Sequence, residues 1–251
     1  MLNKTFNKAL QFVQTNQGKH LPLTKYQAEE KFWRTFLERL VCWYEGTNPV
    51  YYNTPAPTLA QKCKTQTVAH SAILTWFELH QKPKYKADLQ LAVDTFAGMK
   101  LLDIGAGPMP SAEVFVDCEL YCLDPLFPAY LAAGYPLHYY HKSTRFVQGQ
   151  AEAMPLPDHF FDAVISVNAI DHVDDIAQTA QEIRRVLKVG GRLRLHVHYH
   201  RPTPTEPLAL DDHIMRKLFA WCDGFRKIES SDHKFSAQAS AGESYNLWSN
   251  F

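Results

Sequence analysis

The stretch "LLDIGAGPMPSAEVF", Leu101 to Phe115, sets the tightest limit on the fold. An apolar run ends near Asp103 and is followed at once by Gly105 and Gly107, the pattern of a strand feeding a tight turn. Such a turn belongs to an α/β sheet, whose ligand crevice lies beyond the carboxyl ends of the strands. "ELYCLD" (Glu119 to Asp124), "FDAVISVN" (Phe161 to Asn168) and "RLRLHVHYH" (Arg192 to His200) read as further strands. "DIAQTAQEIRRVLKVGG" reads as an amphipathic helix closed by Gly190 and Gly191. Upstream of Phe96 the texture is helical: Phe6, Leu10 and Val13 share one face, and Phe32, Trp33, Phe36, Leu37, Leu40, Val41 and Tyr44 repeat at helical spacing. We expect a helical extension over residues 1–97 ahead of an α/β domain over residues 98–251. The extension carries one polar, turn-rich interruption, "GTNPVYYNTPAPT", read as a mobile cover with Tyr51 and Tyr52 as its contacts.

Charge narrows the partners. Lys and Arg number 26, as do Asp and Glu, and no basic cluster stands out, so neither nucleic acid nor a membrane surface is expected to bind. The five cysteines are scattered without a CxxC pair, which fits free thiols in a reducing compartment and gives no zinc or iron-sulfur framework. No apolar run approaches the roughly 20 residues that span a bilayer. The expected setting is the cytoplasm, and the expected partner a small molecule.

The glycine turn departs from a dinucleotide site in an informative way. Pro108 and Pro110 stand where backbone amides would meet a pyrophosphate, and proline has no amide hydrogen to give. A ligand without a pyrophosphate tolerates that loss. S-adenosyl-L-methionine is one: its amino-acid end needs a close backbone and its ribose needs an acid. Asp124, about 20 residues after the turn at the end of the next strand, is that acid.

Five segments in order, "LLDIGAGP", "LYCLDPL", "GQAEAMPLPDHFFDAVIS", "NAIDHVDD" and "EIRRVLKVGG", resemble the successive motifs of class I S-adenosylmethionine-dependent methyltransferases, especially the small-molecule branch. The resemblance covers roughly residues 98–200. It implies a Rossmann-like seven-stranded sheet with helices on both faces. It further implies that Asp103, Gly105, Ala106 and Gly107 hold the methionine end, that Asp124 and Pro125 meet the ribose, and that Gln150, Ala151 and Glu152 receive the adenine. Asn168 would lie near the methyl group. Gln150 stands where the family commonly has Asp, and Met109 or Pro110 where it has a third glycine.

The acceptor chemistry is suggested by histidines. His196, His198 and His200 alternate onto one face of a strand, and Asp171 and His172 follow the neighbouring strand. We expect O-methylation of a small or carbohydrate-like intermediate. His172 is the first candidate for general base and His200 the second, with His198 and Asp171 beside them. N- or C-methylation, or a non-catalytic binding role, are the alternatives. A divalent metal held by these residues is the less favoured mechanism, because alternating histidines also arise as an ordinary polar strand face.

Overall fold

The computed structural model describes residues 23–203, 205–229 and 244–250. The face of Phe6, Leu10 and Val13 lies outside them. Helix α1 (Leu23–Glu45) is followed by a two-residue hairpin, β1 (Val50–Tyr51) and β2 (Thr54–Pro55). Its turn residues Tyr52 and Asn53 both have positive φ, 44° and 58°, the geometry of a tight hairpin turn. Helix α2 (Val68–Trp76) starts at Thr67, whose side chain accepts from the His70 amide, and runs through a π-helical turn, Phe77–Gln81, into α3 (Lys82–Leu89). Pro83 sits just past that turn and has no amide hydrogen to give, so the wide turn is a local accommodation of the proline.

The α/β part contains β3 (Lys100–Ile104), β4 (Glu119–Asp124), α4 (Phe127–Ala133), β5 (Arg145–Gln148), β6 (Phe161–Val167), α5 (Ile176–Val186), β7 (Leu187–Tyr199), α6 (Asp212–Leu218), β8 (Arg226–Glu229) and β9 (Ser244–Asn250). The strands form one sheet in the order β5-β4-β3-β6-β7-β9-β8. The first five are parallel, and β9 runs antiparallel to both β7 and β8. Strand order reverses between β3 and β6, which opens a crevice at their carboxyl ends.

Alternation along the strands divides two cores. Leu101, Cys122, Ala163 and Ile165 face α1, α2 and α3, meeting Leu40, Trp76 and Phe77. Leu102, Leu123, Val164, Leu193 and Leu195 face α5 and α6. Helices thus cover both faces. Helix α5 stops at Val186, four residues before Gly190, because Leu187 is already extended and pairs with Phe161. Gly190, at φ 76°, instead serves a turn that shifts the register of β7 against β6.

The β1–β2 hairpin departs from the expected mobile cover. Trp43 is fully buried, packs edge to face on Trp76 at 5.0 Å, and donates its Nε1–H to the carbonyls of Thr54 (3.1 Å) and Pro55 (3.0 Å). The hairpin is therefore pinned to α1. Trp43→Phe keeps an aromatic side chain but leaves two carbonyls without their donor, at a cost of about 1–3 kcal/mol, and adds the cost of the void left by the smaller ring. A lower denaturant midpoint is the expected result; an unchanged midpoint would mean that water replaces the indole.

Candidate functional site

The turn after β3 is shaped by contacts that need glycine. Gly105 has φ 71° and Gly107 φ 63°, and the amides of Gly105 and Ala106 both donate to the Leu123 carbonyl, at 2.8 and 3.3 Å. A Cβ on Gly105 would lie 2.2 Å from the Ala169 Cβ, so the turn and the loop after β6 touch through backbone and small side chains.

Asp124 ends β4 beside this turn. Its Oδ2 accepts from the Gly107 amide at 3.0 Å and its Oδ1 from the Leu126 amide at 2.8 Å. Burial pushes its pKa up to about 6, against the pull of those two amides and of the Tyr130 hydroxyl. Asp124 and Pro125 line a small cavity of about 140 Å³ together with Gln150, Ala151 and Glu152. Glu152 also ties down the loop before α5, accepting from the Asp174 amide at 2.7 Å. Helix α1 closes the cavity through Tyr26, whose hydroxyl receives a hydrogen bond from Gln150 Nε2 at 3.3 Å.

Asp103 lines neither this cavity nor its neighbour. It sits behind the turn and receives a long hydrogen bond, 3.4 Å, from the Tyr85 hydroxyl, while its Oδ2 is buried without a partner. Burial pushes it well above the usual carboxylate range. Asn168 ends β6 with φ 51°, its amide donating to the His196 carbonyl at 2.9 Å and its Oδ1 buried without a partner.

A second cavity of about 560 Å³ meets the first along Glu29, Trp33, Gly105, Gly107, Asn168 and His172, and Ala106 lines only the larger one. One end is aromatic, walled by Trp33, Phe36, Tyr52 and Trp76. Tyr51, by contrast, is buried 5.4 Å from Trp76 and lines no wall. The other end is polar, with Glu29, His172, His198, His200 and Glu206.

The histidines do converge there, except His196. It is buried, lies 3.5 Å from Asp88 through Nδ1, and does not reach the cavity. His172 donates from Nδ1 to Glu29 Oε1 at 2.8 Å. Burial alone would lower its pKa, but that hydrogen bond and the charges of Asp171, Glu29 and Glu206 raise it to about 9. His200 faces an acceptor at each nitrogen, the Arg201 carbonyl at 2.7 Å and Asp171 Oδ2 at 3.2 Å, and its pKa is likewise raised to about 9, chiefly by Asp171. Burial opposes the ionisation of Asp171, but the His200 hydrogen bond and the His172 charge hold it below the ordinary carboxylate range. His198 is neutral, its pKa pushed down to about 2 by burial. Among the expected bases, His172 and His200 are thus cations locked to carboxylates, so neither stands ready to take a proton. Glu29, Tyr26, Trp33 and Glu206 are not legible as site residues from sequence: α1 reads as core, and Glu206 lies beyond the strand in "PTEP".

Residues 102–195 match the family described as "Methyltransferase domain". An uncharacterized methyltransferase of Bacillus subtilis, YcgJ, is 31% identical over 162 residues, 62% of each chain. The ubiquinone/menaquinone biosynthesis C-methyltransferase UbiE of Hahella chejuensis is 42% identical over 66 residues, 26% of each chain. The chain thus spans less than two thirds of the length of these relatives. In fold it is similar to phosphoethanolamine N-methyltransferase 2 of Haemonchus contortus, at a TM-score of 0.52 and 13% identity, covering 78% of this chain and 60% of that one. Among the described residues no helix is long and apolar enough to cross a membrane. Residues 102–195 thus carry a methyltransferase domain, and the glycine turn, the strand-ending acid and the sheet order agree with the class I S-adenosylmethionine-dependent type.

Proposed function

We propose that the chain transfers a methyl group from S-adenosyl-L-methionine to a small-molecule acceptor held in the larger cavity. The observation that carries this reading is the meeting of the two cavities at Gly105, Gly107 and Asn168. The acceptor and the methyl donor would approach each other there.

The residues fit the cofactor. The two buried, unpartnered oxygens, Asn168 Oδ1 and Asp103 Oδ2, flank the glycine turn where an ammonium group would supply donors or charge. Asn168 and the Gly105 backbone would hold the methionine end, with Asp103 acting from behind the turn. Asp124 would accept from the ribose hydroxyls, while Gln150 and the Ala151 amide would meet the adenine. When bound, the cofactor supplies an electrophilic methyl group on a sulfonium.

O-methylation of a hydroxylated acceptor is the finer reading, supported by the polar end of the cavity. Neutral His198 orients the hydroxyl, and with His172 and His200 held as cations, rate comes mainly from proximity and orientation. A second reading, C-methylation, is favoured by the UbiE relative, whose name assigns it to carbon. A cytoplasmic setting agrees with five unpaired cysteines. The test is incubation with cofactor carrying a carbon-13 methyl group and extracts of the native organism. A labelled product is expected, its chemical shift separating oxygen from carbon; no product and no affinity for S-adenosylhomocysteine would sink the proposal.

A further inference from the structure

Two side chains on the polar wall of the larger cavity, His172 and Glu206, and Asp171 buried behind them, each have one atom tied to a neighbour and one atom left over. His172 gives its Nδ1–H to Glu29, and its Nε2 is buried without a hydrogen-bond partner. Asp171 accepts from His200 through Oδ2, and its Oδ1 is buried without a partner. Glu206 accepts from the Thr203 hydroxyl through Oε2 at 3.1 Å, leaving Oε1 at 3.5 Å from His172 Nε2. One ligand atom from each of Asp171, His172 and Glu206 lies within 4.8 Å of the others.

We propose that Asp171, His172 and Glu206 form a site for a divalent transition-metal cation, Mn²⁺ or Zn²⁺, open toward the acceptor cavity. The orphan Oδ1 of Asp171 is the strongest sign, because a fully buried carboxylate oxygen without a partner is costly and a cation would satisfy it. The outward bonds have the form of outer-sphere support. A carboxylate on the far nitrogen of a ligating histidine fixes its tautomer and aims the near nitrogen, as Glu29 does here. His200 and Thr203 fix Asp171 and Glu206 in the same manner. One imidazole and two carboxylates suit Zn²⁺ or Mn²⁺, and three protein ligands leave coordination positions open to the cavity. The ligands would close by about an ångström to reach bonds of roughly 2.0–2.2 Å, and the ion would take the place of a proton on His172 Nε2. Sequence spacing favours a metal-free base; the outward partners, two of them far away in the chain, are what change that reading.

The site stands on its own geometry. Only the role of the ion, presenting an acceptor oxygen to the methyl group, rests on the methyl-transfer reading. Calorimetry with MnCl₂ and with ZnCl₂ on the full chain tests it, beside titration with S-adenosylhomocysteine. One equivalent of at least one ion should bind the wild type saturably. Affinity should fall at least tenfold in Glu206→Gln and Asp171→Asn and stay unchanged in Glu78→Gln, an exposed surface acid. Glu206→Gln should retain S-adenosylhomocysteine binding and its melting temperature, which keeps the test informative if Asp171→Asn misfolds. No saturable binding of either ion to the wild type, or equal affinity in Glu206→Gln, overturns the metal site. Failure of S-adenosylhomocysteine to bind while the metal does would instead overturn the cofactor reading.

Discussion

Gly105→Ala is expected to weaken S-adenosylhomocysteine binding by more than about a hundredfold, or about 3 kcal/mol. Two costs act together. At φ 71° an L side chain is strained by roughly 1–2 kcal/mol. The new Cβ would also stand 2.2 Å from that of Ala169, so either the turn or the loop after β6 must move. Both line the junction of the two cavities, through Gly105, Gly107 and Asn168, so a shift opens the geometry on which the cofactor depends. The two costs can be separated. Gly105→Ala with Ala169→Gly removes the collision and keeps the backbone strain, so calorimetry should show partial recovery of affinity. Equal affinities for wild type and Gly105→Ala would remove the turn from the cofactor site; no recovery in the double variant would assign the whole effect to φ.

The features that sequence patterns expose are local ones. β3, its glycine turn and Asp124 fall within about one βα unit, where strand period, turn chemistry and the acid's position describe the same crevice. Gln150 and Ala151 follow the same logic on the next strand. What stays hidden depends on partners far along the chain. His172 is legible as a site residue, but its chemistry is set by Glu29, 143 positions away on a helix whose aromatic face reads as core. Core is only half the role of that face. Leu40 and Trp43 are buried core, yet Trp33 and Phe36 on the same helix wall a cavity. A helical face cannot say from spacing alone whether it meets a packed sheet or a cleft. The hairpin is obscured for another reason: its polar, turn-rich composition suits a mobile loop, and only the indole of Trp43 reveals that it is tied down.

Asp124 should give two opposite pH dependences in one protein. Its pKa is raised from 3.8 to about 6 in the unliganded fold, because burial, with the Glu29 carboxylate adding to it, outweighs the amides of Leu126 and Gly107 and the Tyr130 hydroxyl. A group whose folded pKa lies above its unfolded value binds its proton more tightly when folded. Its stabilising contribution is therefore complete below about pH 3.8 and is lost as pH rises through about 6. The full loss is on the order of 3 kcal/mol, since each tenfold change in proton affinity is worth about 1.36 kcal/mol. Cofactor affinity should run the other way, since the ionised carboxylate is the stronger acceptor for ribose hydroxyls. Asp124→Asn removes both dependences. It adds a constant penalty at every pH, because an amide can accept from only one of the two backbone donors without turning its own NH₂ toward the other. The measurement is denaturant stability and S-adenosylhomocysteine affinity at pH 5 and pH 8 for both proteins, so that histidines titrating in the same range cancel in the difference. From pH 5 to pH 8 the wild type should lose stability relative to Asp124→Asn and gain affinity relative to it, with a gap of at least tenfold at pH 8. Parallel stability curves would show that Asp124 stays ionised throughout this range, and parallel affinity curves would take the ribose away from it.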